Sequence, residues 1–341
     1  MRNIIIIGAG PAGALPAKLL SDAGYSVLLF DHRAPWEKPC GGILGPDIPE
    51  DMLNMNTFAY PINTYPGIHY ESPRKEEKFI KTGKPFSVVS RRHLGNHLLD
   101  RAIEAGTDFR REKVLSLEYK NQNWQVNTGG KTYSADIIIG ADGATGITRK
   151  NVSRPFGKKN LNQSCGYFMK GIPKDICIMK FLDIQGYLWI VSCPSHTSAG
   201  ILAKFGTVKG NELFQRLDNF LAEKFPDAEI IEPYAALIPA FEDKESFDEP
   251  CCGKNWLLTG DAAGHNNPVL GEGIYYALES GRLAAEAIIS RDIQSYENRW
   301  REAYGRQLCQ AAEYNNKLSK TVKVFGNEMA GAMLYKYFTS G

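Results

Sequence analysis

The sequence predicts an α/β protein: a Rossmann-like dinucleotide-binding domain with an inserted antiparallel β-sheet domain and C-terminal helices. Three observations predict it. An unbroken apolar run, residues 3 to 8 (NIIIIG), leads straight into a glycine-rich turn and then a helical pattern. Apolar runs that read as buried strands return far along the chain, at Ile137 to Gly140 and at 255 to 259. Between these blocks, residues 60 to 84 and 161 to 248 alternate Tyr, Trp, Phe, Val and Ile with polar residues, as half-exposed strands do.

The first run is rich in β-branched side chains, which suits a parallel strand buried on both faces. Residues 11 to 23 carry Leu15, Leu19 and Leu20 at helical spacing. Gly24 stops that helix and Ser26 to Phe30 resume a strand, completing one βαβ unit. Pro16 falls inside the helix, where it removes a hydrogen bond, so a local kink is expected. A helix is expected at 92 to 105, a hairpin-like region from 109 to 140, and a strand at 255 to 259 feeding a helix from 272 to 290. Residues 300 to 341 read as helices packed on the outside. The expected division is discontinuous: 1–59, 85–160 and 249–299 make the nucleotide domain, 60–84 and 161–248 the β-sheet substrate domain, and 300–341 a helical segment.

The 341 residues are 43% hydrophobic and 23% charged, an ordinary globular composition. With 40 basic against 38 acidic residues, the formal charge of +2 gives no reason to expect a nucleic-acid partner. The 7 cysteines are scattered and include no CxxC pair, which suggests neither a disulfide framework nor a metal site. No basic, cleavable start and no membrane-length apolar stretch occur, so a cytoplasmic location is expected. The segment 320 to 338 mixes apolar and basic residues in a way that suits peripheral contact with a bilayer. Nothing in the sequence signals an oligomeric state.

Gly8, Gly10 and Gly13 spell GxGxxG between a strand and a helix, with Ala12 inside the same turn. The first glycine serves a tight turn, the second lets backbone approach a diphosphate, and the third lets the helix close on the strand. The helix N-terminus adds free N–H groups and partial positive charge. Asp31, with His32 beside it, ends the second strand where a carboxylate can accept from ribose hydroxyls. This turn alone does not choose between NAD and FAD. Residues 258 to 274 (LTGDAAGHNNPVLGEGI) add a second ligand loop. Gly260 and Asp261 are placed for a polyol, and Pro268, Gly271, Gly273 and Ile274 bring backbone N–H groups to the start of a long helix. Its dipole can stabilise negative charge on a reduced flavin ring.

That second loop resembles the GD motif of FAD-dependent enzymes in the p-hydroxybenzoate hydroxylase-like superfamily. GADGATGITR at 140 to 149 is similar to the DG motif of the same superfamily: Asp142, Gly143 and Arg149 match, and Gly146 stands where serine is usual. RRHLGNHLLDRA from 91 resembles its arginine-led helix, which implies Arg91 near the flavin. Val114 falls where the superfamily uses strand backbone to hold adenine. KPCGGIL at 38 to 44 and GYLWIV at 186 to 191 look like the KPCGGG loop and YxWxFP strand of the geranylgeranyl reductase family, with departures at Ile43, Val191 and Ser192.

The resemblance implies FAD as cofactor, NAD(P)H or another external electron donor, and a hydrophobic isoprenoid substrate whose carbon–carbon double bonds accept hydride from the reduced flavin. Gly41 and Gly42 would let backbone pass close to the flavin face, with Cys40 beside it. Strand alternation puts Tyr187 and Trp189 on one face, where they can wall an apolar pocket. Cys40, Tyr187 and His265 are the candidate proton donors. For Cys40 simple packing beside the ring, and for His265 a place on the loop surface, stay open. No metal is implied. Two rivals also stay open: an FAD-dependent aromatic monooxygenase, and a flavin-binding protein without net redox turnover.

Overall fold

The computed structural model describes residues 3–339. Asn3–Ile7 is the central strand of a five-stranded parallel sheet in the order Trp256–Leu258, Ile137–Gly140, Asn3–Ile7, Ser26–Phe30, Asp108–Arg110. Its isoleucines divide between two faces. Ile4 and Ile6 meet Leu20, Ala284 and Ile288 on the helical side, whereas Ile5 and Ile7 meet Trp124, Val126 and Ala135 of a three-stranded antiparallel sheet. Burial on both faces is why Ile4 to Ile7 include no polar residue.

The helix Pro11–Asp22 continues through Pro16. The proline removes the N–H that would have met the carbonyl of Ala12, and Thr259 Oγ1 donates to that carbonyl instead, at 3.0 Å. The pyrrolidine ring packs where Gly281 of the helix Ile274–Ile289 has no side chain; a Cβ there would lie 2.8 Å from Pro16 Cδ. The residue that weakens one helix is thus the contact at which two helices meet.

The second sheet has eight strands, in the order Glu229–Pro239, Leu161–Lys170, Thr197–Lys204, Gly186–Ser192, Cys177–Phe181, Asn63–Glu71, Glu77–Val88, Ile43–Leu44. Its pairs are antiparallel except Cys177–Phe181 with Asn63–Glu71, which is parallel. The strand Glu77–Val88 runs through the boundary expected between 84 and 85. Its last residues, Ser87 and Val88, pair with Leu44 and Ile43, so part of the 38–44 loop belongs to this sheet. One face of the sheet is covered by the helix Gly210–Lys224, and the other is an aromatic-rich core.

The C-terminal helices correct the expectation that they lie outside. Ser295–Trp300, a π turn at Arg301–Gly305, Arg306–Phe325 and Asn327–Thr339 follow one another. Trp300, Tyr304 and Leu308 are buried in the nucleotide-domain core, while Ala311, Leu318 and Leu334 close the aromatic face of the second sheet. These helices therefore stitch the two sheets together. Gly331 allows the last one to close down, since a Cβ there would sit 1.9 Å from the carbonyl oxygen of Leu182.

Candidate functional site

The glycine turn is shaped by contacts that only glycine permits. Gly8 has φ +101° and a Cβ on it would strike the carbonyl oxygen of Ala141 at 2.3 Å; a Cβ on Gly13 would lie 1.9 Å from the carbonyl oxygen of Gly8. Gly10, by contrast, faces open space, with nothing within 4 Å of the position a Cβ would take. Ala12 packs under Gly260, whose Cβ would approach it at 2.8 Å, so the second loop rests directly on the first. Asp31 is tied into the cradle: Ala9 N donates to Oδ2 at 3.0 Å, and Arg33 N and Ala34 N donate to Oδ1 at 2.8 and 3.0 Å. His32 beside it is exposed.

Two loops from opposite ends of the chain meet over this cradle. Lys38 Nζ reaches Asp261 Oδ2 at 3.2 Å, joining the KPCGG loop to the GD loop. Gly42, at φ +71°, lies so close to Val89 that a Cβ would sit 2.1 Å from its carbonyl oxygen, which places the loop beside the start of the helix Arg91–Glu104. Cys40 accepts from Gly42 N at 3.4 Å, and Gly41 packs on Val191 of the strand Gly186–Ser192. On the GD side, Pro268 is buried and Asn267 Oδ1 accepts from Val269 N and Leu270 N, a turn that presents Gly271. Gly273 precedes Ile274 at the helix start, with no side-chain cap and no acidic residue in the first turn. The first N–H groups of that helix are free to meet negative charge.

Arg91 is buried, and its Nε has no hydrogen-bond partner; the same is true of Asp142 Oδ1 and Asn266 Oδ1. Buried polar atoms left unmatched are costly, and these lie on the converging loops. Together with the open face of Gly10 they fit a polar, phosphate-bearing dinucleotide such as FAD. Asn266 was not anticipated, although it stands between two anticipated residues; its Nδ2 points to Asp261 Oδ1 at 3.5 Å.

Two expectations need correction, at Val114 and His265, and Asp142 also braces its own loop. Asp142 turns inward: Oδ2 accepts from Thr148 N at 2.8 Å and Thr148 Oγ1 at 2.9 Å, and the space for this is Gly146, where a Cβ would overlap the carboxylate at 2.1 Å. Gly143 keeps an open left-handed turn at φ +78°. Val114 lies in the loop ahead of the strand Ser116–Lys120, not on a strand, because its side chain is drawn into the core beside Phe30 and Leu117. His265 is fully buried in an aromatic cage of Tyr296, Trp300 and Tyr304, with Nδ1 2.9 Å from Tyr304 Oη and Nε2 3.6 Å from Cys251 Sγ. Burial, reinforced by Arg149 and Arg301, pushes its pKa down to about 3. It is neutral and sealed from any substrate, so it is not a proton donor.

Tyr187 and Trp189 do share a face. The Tyr187 hydroxyl donates to the carbonyl of Leu270 and lies 3.4 Å from the position of a Gly271 Cβ, at the edge of the GD turn. Burial raises its phenol well above the ordinary value, so it keeps its proton. Trp189 lies flat on Gly200 and donates from Nε1 to Ser198 Oγ at 3.1 Å. Phe181 and Phe338 complete this aromatic wall around Tyr187, the latter from the last helix.

Comparison with known proteins agrees with this construction. Residues 6–73 match the family model of an NAD(P)-binding Rossmann-like domain. The digeranylgeranylglycerophospholipid reductase of Methanococcus aeolicus is 28% identical, over 97% of this chain and 90% of that one. The crystal structure of a geranylgeranyl bacteriochlorophyll reductase-like protein from Thermoplasma acidophilum superposes with a TM-score of 0.81 at 18% identity, over 98% of this chain and 90% of that one. The halogenase PltM, solved with phloroglucinol and FAD, shares the fold at a TM-score of 0.73 and 18% identity, over 99% of this chain and 80% of that one. A glycine cradle, a GD loop and an aromatic sheet face thus stand in a chain that is similar over nearly its whole length to a digeranylgeranylglycerophospholipid reductase and shares the fold of a geranylgeranyl bacteriochlorophyll reductase-like protein.

Proposed function

We propose that the protein uses bound FAD to reduce carbon–carbon double bonds of an isoprenoid chain lying along the aromatic face of the second sheet. The observation that carries this reading is Tyr187, whose hydroxyl is anchored at the GD turn while its ring joins Phe181, Trp189 and Phe338. An aromatic wall that ends at the cofactor turn suits a hydrocarbon, which needs contact area and no polar partners. The likeness to the digeranylgeranylglycerophospholipid reductase supports the same substrate class.

When bound, the flavin supplies a hydride from its reduced ring. The chain does the rest. Gly8, Gly10, Ala12 and Gly13 would hold the diphosphate, Asp31, His32 and Val114 the adenosine, and Gly260 and Asp261 the ribityl chain. Arg91, Asp142 and Gly143 would border the cofactor, with Gly41 and Gly42 along the ring. Pro268, Gly271, Gly273 and Ile274 would bring helix N–H groups to its negative edge. Cys40 at Sγ or Tyr187 at Oη would hold the proton for the carbon that receives no hydride. The aromatic wall, with Trp189, would exclude water.

The electron donor in this reading is external, NAD(P)H or another reductant, acting on the cofactor directly. Val324 and Phe325 are 72% and 69% exposed near Lys320 and Lys323, at the tip between the last two helices. We assign that tip to peripheral contact with a bilayer from the cytoplasmic side. Among the described residues no helix is long and apolar enough to cross a membrane.

Anaerobic single turnover tests the reading. Photoreduced enzyme should be reoxidised by a polyprenyl alkene. Substrate-stimulated NADPH oxidation that requires O₂ and an aromatic acid would establish the monooxygenase instead, and bound flavin that nothing cycles would establish a non-redox role. Asp261→Ala should purify colourless; a yellow, fully loaded variant would overturn the assignment of Asp261.

A further inference from the structure

Tyr187, Trp189, Val191 and Cys193 occupy alternate positions and join the same aromatic-rich core, so the wall assigned to the substrate ends in a thiol. Cys193 is 4% exposed. Behind it lies His196, with Nδ1 3.5 Å from Cys193 Sγ and 3.0 Å from Ser195 Oγ. Nε2 of the same imidazole lies 3.8 Å from Cys193 Sγ and 3.8 Å from Glu37 Oε1. Glu37 is itself fixed: Ser90 Oγ donates to its Oε2 at 2.6 Å and Arg91 N to its Oε1 at 2.7 Å. The carboxylate therefore belongs to the loop that carries Cys40 and to the N-terminus of the helix that carries Arg91. Ser195 is exposed, so the row leads from solvent through the imidazole to a thiol at the edge of the aromatic core.

We propose that Cys193, His196 and Glu37, in place of Cys40 or Tyr187, are the proton-holding relay for the substrate face, with the thiol toward the aromatic core, the imidazole against it and the carboxylate steering the imidazole. Its use in double-bond reduction rests on the function proposed above. The Cys193 S–H bond breaks and a C–H bond forms at the alkene carbon that receives no hydride, the reduced flavin being the two-electron donor for the other carbon. The proton of that S–H bond comes from the His196 imidazolium, which passes it to the resting thiolate before the transfer; the thiolate and neutral imidazole left behind regain one proton, on the imidazole, from water at Ser195.

The surroundings favour charge separation. Burial alone would raise the thiol, yet the hydrogen bonds from His196 and Ser195 and the imidazolium charge outweigh it and hold Cys193 below the ordinary value. Burial also works against the imidazolium, but Cys193 and Glu37 raise His196 overall, with Arg92 opposing them. His93 and Arg92 face it from the helix, and Phe168 presents its ring from the neighbouring strand. Burial pushes Cys165 and Cys177 up to about 12, so those thiols offer an internal contrast.

The test is the far-ultraviolet thiolate absorbance of the flavin-loaded protein, taken as wild type minus Cys193→Ser across pH. The difference should show ionisation below the ordinary thiol range. His196→Gln should raise that midpoint by about one unit or more, and Glu37→Gln by less. An ordinary or high midpoint in the wild type, or one that His196→Gln leaves in place, overturns the relay. In anaerobic turnover, Cys193→Ser should slow alkene-driven reoxidation roughly tenfold or more with FAD still bound. Unchanged reoxidation in that variant overturns the relay while the reductase reading stands. Failure of the wild type to oxidise with any polyprenyl alkene sinks the reductase reading, and the thiolate titration then decides alone whether the couple exists.

Discussion

Cys251 lies 3.6 Å from Nε2 of His265, and Cys193 lies 3.5 Å from Nδ1 of His196, one pair in the nucleotide-domain core and the other at the aromatic face of the second sheet. Distance does not distinguish them; their neighbours do. His265 is enclosed by Tyr296, Trp300 and Tyr304 and faced by the cations Arg149 and Arg301, so its positive form is disfavoured from every side, and Cys251 is pushed up by burial. His196 has a carboxylate behind it and an exposed hydroxyl beside it, and its pair leans toward charge. A cysteine and a histidine in contact are therefore a packing unit in one region and an acid–base couple in the other.

The largest test of that contrast is to remove each ring. His265→Ala would leave a cavity among aromatic side chains and take the partner from the Tyr304 hydroxyl, and should cost about 3 kcal/mol in urea unfolding. His196→Ala, nearer the surface, should cost less than about 1 kcal/mol. Equal losses would erase the distinction between a structural and a chemical histidine.

Acid should separate the pairs next. The folded value of His265 lies at about 3, below the ordinary 6.5, so the unfolded chain binds its proton first as pH falls. Stability should drop below pH 6.5, by about 2 kcal/mol at pH 5, and this part of the slope should vanish in His265→Leu. The value for His196 is raised, so its contribution is fully present below the unfolded value and is lost as pH rises through the folded one. Chemical unfolding of each histidine variant across pH reads the two signs. A wild type whose stability is flat between pH 6.5 and 5 would mean that His265 is not sealed.

The nucleotide cradle was legible in the sequence because it depends on backbone conformation, and backbone demands leave a spaced signature. Gly8 at φ +101° and Gly13 against the Gly8 carbonyl exclude every other residue, so three glycines after an apolar run carry much of the construction. What was hidden depends on distant side chains. Nothing local to His265 shows that Trp300 and Tyr304 will enclose it, and the short-range stripe Trp300, Tyr304, Leu308 shows a buried helix face without saying what it meets. The inward turn of Asp142 could have been suspected at Gly146, since the missing side chain leaves the room that the carboxylate fills. Glu37, Cys193 and His196 belong to no motif read in the sequence. They meet because the 38–44 loop pairs with the edge of the second sheet, a register set by Ile43 and Leu44 opposite Val88 and Ser87.

The smallest effect probes how the carboxylate acts. Glu37→Gln keeps one acceptor oxygen, for Arg91 N, turns its amide N–H toward Ser90 Oγ, which can accept, and removes the charge facing His196. Because that carboxylate already accepts three hydrogen bonds at a helix N-terminus, from Ser90 Oγ, Arg91 N and Arg92 N, part of its charge is neutralised before the imidazole is reached. The midpoint of His196, followed by imidazole NMR, should therefore fall by less than about one unit, with stability changed by under about 1 kcal/mol. A larger fall would make Glu37 the main source of the imidazolium. No fall would assign it wholly to Cys193, and the two cysteine–histidine pairs would then differ by burial and by their cations, not by a carboxylate.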